Sequence, residues 1–235
     1  MAVDRMLISP AVRDKLGDRG VTEVGSWLWA VDCQTCGRPL GSRPPALCVD
    51  DMIAFAAASL HHEECRAPQW GQGPFTGLGG SDRVTHRSRL IMLPTGGEGS
   101  SRAIPVMVVN PTMELVMLGQ ADGRWRPQYH ATFTAAAMVP PGPQLHIYRP
   151  LPGTSARLTR TAVTVTMPPP AATDHYECGL GQGDEPIHRA IAGEGGVLLA
   201  VTHAVDPHAG DFARQFAAAL RGGRMLCGWI PLPGK

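Results

Sequence analysis

The chain has 235 residues, of which 28 are Gly and 22 Pro, with 43% hydrophobic and 17% charged side chains and a net charge of +1. That apolar share builds a core and excludes wholesale disorder, while the near-zero charge excludes a nucleic-acid binder that works by bulk charge alone. Of 21 basic residues only Lys15 and Lys235 are lysine, a compositional bias that makes the arginine excess a weak sign of phosphate binding.

In chain order, Ser9–Gly17 reads as a short helix, with Ser9 as cap, Pro10 at the first helical position and Gly17 as terminator. Val24–Val31, with Trp27 and Trp29, reads as a strand leading into Cys33-Gln34-Thr35-Cys36-Gly37, and Ala46–Val49 as its return. Asp50 or Asp51 then caps an expected helix over Met52–His61, where Ile53, Ala56, Ala57 and Leu60 recur at helical spacing. Residues 89–93, 104–109, 113–118, 129–139, 144–148 and 158–167 read as strands separated by turn signals, Asp122-Gly123 among them. A strand over Val197–His203, a helix over His208–Arg221 and a strand over Met225–Ile230 close the chain. The expected class is α+β: an N-terminal zinc-finger-like module over 1–75, a Gly/Arg-rich connection over 76–102, and a mostly antiparallel β domain over 103–235 ending in a β-α-β-like tail. No apolar run reaches the about 18 residues of a membrane span. The first residues, with Asp4 and Arg5, lack the apolar stretch of a secretion signal, so a cytoplasmic, reducing setting is expected.

Cys33-x2-Cys36-Gly37 is the strongest chemical signal. Two thiolates on one tight turn aim at a single ion, and Gly37 supplies the backbone freedom the turn needs. The second half of a ligand set follows as His62-x2-Cys65 or His61-x3-Cys65; His62 gives the commoner spacing and is favoured. Three sulfurs and one imidazole form a closed tetrahedral set for a structural Zn2+. A redox reading of Cys33 and Cys36 needs a helix after the motif, which Gly37-Arg38-Pro39 forbids. Cys48 lies in an apolar run and reads as core. Over residues 25–70 the pattern resembles a treble-clef or zinc-ribbon-like finger, similar to the first half of a LIM domain. The second four-ligand set of LIM is missing, so the resemblance does not carry over an adaptor role.

Weaker signals lie downstream. His175-x2-Cys178, with His188, His203, His208 and Cys227, offers a second metal site or a Cys/His nucleophilic pair, against the commoner reading of surface and core groups. Gly179–Gly183 before a short helix is a weak match to an anion cradle. Residues 83–102 carry Arg83, Arg87, Arg89 and Arg102 against Glu98, and Arg124-Trp125-Arg126 follows the Asp122-Gly123 turn. An exposed Trp between arginines suits a protein partner, or nucleic acid through stacking and phosphate contact; the alternative is a Trp125 folded onto the sheet. The expected function is thus a cytoplasmic zinc-containing accessory protein that contacts a protein partner or nucleic acid through Arg87, Arg89, Arg124, Trp125 and Arg126. The rival class is a small hydrolase or transferase using His175, Cys178, His188 or His203.

Overall fold

The computed structural model describes residues 6–73, 86–94, 103–142, 149–168 and 175–234. Its elements are α1 (Pro10–Trp27), β1 (Ala46–Asp51), β2 (Ala56–His61), β3 (Gln69–Gln72), β4 (Arg87–Pro94), β5 (Ala103–Asn110), β6 (Leu115–Ala121) and β7 (Arg124–Pro127). They continue with α2 (Tyr129–Ala135), β8 (Ser155–Leu158), β9 (Ala162–Thr166), β10 (His175–Gly179), α3 (Glu185–Glu194), β11 (Gly196–Val201), α4 (Phe212–Arg221) and β12 (Leu226–Pro231). Among these strands only β1/β3 and β5/β11 pair in parallel, so the class is α+β with mostly antiparallel sheets. The expected strand at 144–148 and the residues Arg83, Glu98 and Arg102 lie outside the described residues.

The elements fall into two compact units, Met1–Thr85 with Pro111–Tyr129, and His86–Asn110 with His130–Lys235. The division runs through the stretch expected as one domain over 103–235.

In the first unit, Ser9 Oγ accepts the Val12 N–H at 3.3 Å and Pro10 opens α1. At Gly17 the backbone leaves helical geometry, at φ 68° and ψ 166°, so the first helical stretch ends where expected and a second one continues α1 beyond the kink. The expected strand over Val24–Val31 is corrected: Val24 to Trp27 form the last turn of α1. Val21, Val24 and Trp27 bury one helical face, with Val12 and Leu16 buried before the kink. The five-stranded sheet runs β3-β1-β2-β6-β7. Trp70 on one edge strand and Trp125 on the other have ring centroids 5.4 Å apart, so the sheet curls enough for side chains of its two edges to form a seam. Helix α1 packs along β7 and reaches β3 across that seam.

The expected helix over Met52–His61 is also corrected. Asp51 Oδ1 accepts the Ile53 N–H at 2.9 Å and builds a turn, not a helix cap. Ala56–His61 then forms β2, every residue of which is buried. A short apolar run buried on both faces shows no period that separates helix from strand.

The second unit holds a four-stranded sheet, β12-β11-β5-β4, and a three-stranded one, β10-β9-β8. Helix α4 lays Phe212, Phe216 and Ala219 on a core of Ile104, Val106, Val108, Leu198 and Ala200. Two further expectations change here. Residues 158–167 are not one strand but the end of β8 and all of β9, turned by Thr159, whose Oγ1 accepts the N–H of Thr161 and Ala162. The expected strand at 129–139 is helix α2, which closes with Ala137 at φ 65° and the Met138 N–H on Phe133 O at 3.0 Å. That terminator normally carries Gly.

Candidate metal centre

The Cys33–Cys36 turn is made by its backbone. Gly37 N–H donates to Cys33 O and Cys33 N–H to Arg38 O, both at 2.8 Å, with Gly37 at φ 68°. Gln34 N–H donates to Leu60 O at 3.0 Å, which holds the turn against the end of β2. Beyond β2 the chain makes one tight turn in which Cys65 N–H and Arg66 N–H both reach His62 O at 3.0 Å. This brings Cys33, Cys36, His62 and Cys65 together, with ligand atoms all within 4.8 Å of one another. These four residues can hold a metal ion. Among the described residues they form the one such group.

Their surroundings prepare the donor atoms. His62 Nε2 bonds to Pro39 O at 2.9 Å; a carbonyl accepts only, so Nε2 carries a proton, and in the neutral ring that binds a metal the Nδ1 lone pair faces the sulfurs. Nδ1 lies 3.4 Å from Cys36 Sγ and 3.8 Å from Cys65 Sγ. The His62 N–H points at Cys33 Sγ, 3.3 Å away. Hydrogen bonding to Arg38, with lesser help from His62, draws the exposed Cys36 thiol down to about 6. Desolvation, and then the neighbouring Cys36 and Cys33 sulfurs, pushes Cys65 up to about 11. Crowded sulfurs that cannot all shed their protons are the arrangement a cation relieves.

His61 is not part of the group. It is fully buried, with Nδ1 2.8 Å from Thr35 Oγ1 and Nε2 2.9 Å from Ser59 Oγ. Burial, with Arg66 nearby, holds it down to about 4. It braces the Cys33–Cys36 turn from behind through Thr35. Cys48 is core, its thiol 3.3 Å from Ala67 O and pushed by burial to about 11. Sequence reasoning missed the ion pair beneath the site: Arg66 meets the buried Asp50 carboxylate through Nη1–Oδ2 at 2.9 Å and through Nη2–Oδ1. The signal was present, since an Arg directly after a ligand Cys and an Asp inside an apolar strand both need partners.

The other expected site residues are scattered. Trp125 is buried at 5% exposure, so the outward-facing anchor is corrected; strand alternation leaves Arg124 and Arg126 exposed on the opposite face. Arg87 pairs with Asp206 at 2.8 Å, and Arg89 lies 4.7 Å over the Phe212 ring and reaches Pro207 O. His175 and Cys178 sit on opposite faces of β10, one exposed and one buried, so they make no joint site. The Gly181 N–H is taken by Asp184 Oδ2 at 2.8 Å, so the Gly179–Gly183 segment, only a weak match to an anion cradle, spends this amide within its own loop. Among the described residues no helix is long and apolar enough to cross a membrane. Comparison with protein-family models, with characterised proteins and with solved structures gives no match.

Proposed function

We propose that this chain is a non-enzymatic, cytoplasmic accessory protein whose Cys33, Cys36, His62 and Cys65 hold one structural Zn2+, and whose task is to bind a protein partner. The observation that carries the reading is the closed Cys3His set. Three soft sulfurs and one imidazole select zinc among the common ions. Zn–S bonds of about 2.3 Å and a Zn–N bond of about 2.0 Å put tetrahedral ligand atoms roughly 3.5–3.8 Å apart, which the 3.4 and 3.8 Å N···S separations approach. A zinc bound there supplies a folding constraint and no open position for water. The segment then resembles a zinc ribbon more than a treble clef, because its second ligand pair follows strand β2 and sits in a turn.

Nucleic acid is the less favoured partner. Trp125 is no stacking platform, and Arg87 and Arg89 are engaged within their own unit. The enzyme reading loses support from the separation of His175 and Cys178. Elemental analysis of the purified chain tests the zinc: one per chain is expected, with its loss in Cys36→Ser. Purified protein without zinc would overturn the reading. Anisotropy with a labelled DNA duplex and an RNA strand tests the partner class. Tight binding that falls steeply between 50 and 200 mM salt, by roughly a thousandfold or more, would overturn the protein-partner proposal.

A further inference from the structure

The β1–β2 connection is the least expected piece of backbone in the first unit. Ala54 N–H donates to Met52 O at 2.9 Å around Ile53, whose φ is 73°. This is a γ-turn of the strained hand, and it holds a β-branched residue where Gly or Asn would sit without strain. The strain is locked in from both sides. Asp51 Oδ1 accepts the Ile53 N–H, Asp51 Oδ2 accepts Trp70 Nε1–H at 3.0 Å, and Met52 N–H closes the hairpin on Phe55 O at 2.9 Å. The fold gains no burial in return: Ile53 is 90% exposed and Phe55 40%.

Beside this knob lies a hole. An open depression of about 560 Å³, walled in part by Ile53 itself, is lined by Asp51, Met52, Gln72, Gly73, Gln120 and Trp125. Knob and hole on one patch make that patch self-complementary, as an isologous two-fold interface is, because each copy offers both and receives both. The charge pattern suits the same symmetry. A two-fold sets like against like, yet Asp51 is the one charged side chain among these described lining residues, and both its oxygens already accept N–H groups. Gln72 and Gln120 carry amides that donate and accept at once, so each can bond its own copy, which carboxylates or guanidiniums cannot. A lipid surface is the poorer occupant, since no cation lines this depression among the described residues.

We infer that the β1–β2 tip docks against a second copy of this chain, Ile53 of each copy entering the depression of the other over Trp125. The inference is independent of what the zinc unit binds. Sedimentation velocity of the zinc-loaded full chain under reducing conditions, over a wide micromolar range, reads it directly. A monomer–dimer equilibrium is expected. Ile53→Gly should raise its dissociation constant on the order of thirtyfold, as loss of a central anchor does, while the melting temperature of the dilute monomer holds or rises as the strain is released. Gln120→Glu, at the hole and not the knob, should weaken the dimer similarly, with partial recovery in high salt. A single-chain mass across the range, or a dimer unchanged by both variants, would overturn the inference. So would a monomeric chain that pellets with anionic phosphatidylserine vesicles through Ile53.

Discussion

Arg66→Met removes the guanidinium that faces Asp50 while keeping most of the apolar stem. The side chains of the pair are 14% and 5% exposed, and the carboxylate receives two parallel hydrogen bonds from Arg66. Stranding one buried partner costs about 3–5 kcal/mol, a large share of the about 5–15 kcal/mol that holds a domain together. Urea unfolding followed by tryptophan fluorescence reads this in the right place. Trp27, Trp29, Trp70 and Trp125, four of the five tryptophans, belong to the first unit. With a slope near 2 kcal/mol/M, the midpoint should fall by roughly 2 M. The double variant Asp50→Leu/Arg66→Met should recover most of the loss, because two apolar residues leave no buried charge. Zinc content should survive in the folded fraction of Arg66→Met, since Arg66 holds His62 through its backbone N–H. A single-variant cost below about 1 kcal/mol, or a double variant as unstable as the single, would refute the reasoning.

Chelation of the metal should expose the amides of β1 and β2 to hydrogen exchange while β5, β11 and β12 stay protected, because the second unit has its own core; exchange that is unchanged in β1 and β2 would contradict this. Burial, with Arg224 and His130 adding to it, holds His203 down to about 4. The unfolded chain takes up that proton near 6.5, so stability contributed by the neutral ring is full above that pH and is lost as pH falls toward 4, by at most about 3 kcal/mol. A His203→Asn stability curve parallel to wild type between pH 4 and 7 would exclude that role. Gly196→Ala should cost about 2–3 kcal/mol, since its Cβ would lie 2.5 Å from Ile230 O and 2.8 Å from the Trp229 ring. Gly183→Ala, with open space around it, should stay within about 0.5 kcal/mol in the same melting experiment.

The metal ligands were legible because spacing and residue type act locally: a Cys-x2-Cys-Gly turn is fixed by its own hydrogen bonds. The choice of His62 over His61 is half legible, since the two point opposite ways once β2 is a strand, whereas the apolar spacing over Met52–His61 reads as a helix. Elements whose signals were turn residues or alternation came through, as with β5, β6 and the Asp122-Gly123 hairpin, where φ is 51° and 69°. Failures came where a signal was borrowed. Ala137 terminates α2 in a conformation that Gly usually advertises, and Ile53 sits in another. Asp51 spent its cap-like carboxylate on a turn. Trp125 was undecidable locally, because its burial depends on Trp70 across the curled sheet, a contact no window of sequence contains.

The interleaving of the two units has a consequence for synthesis. Strand β2 ends at His61, but its neighbour β6 begins only at Leu115, after β4 and β5 of the other unit have been made. At about 5–20 residues per second, the edge of β2 waits roughly 3–10 s on the ribosome for its partner. All six of its residues, the polar Ser59 and His61 included, are buried in the finished sheet, so the nascent chain presents an unpaired edge with three alanines and Leu60 uncovered during that interval. His62 and Cys65 emerge at the start of the wait. A metal captured then would knit Cys33–Cys36 to the far end of β2 and keep the growing hairpin in register until the chain returns to cover it.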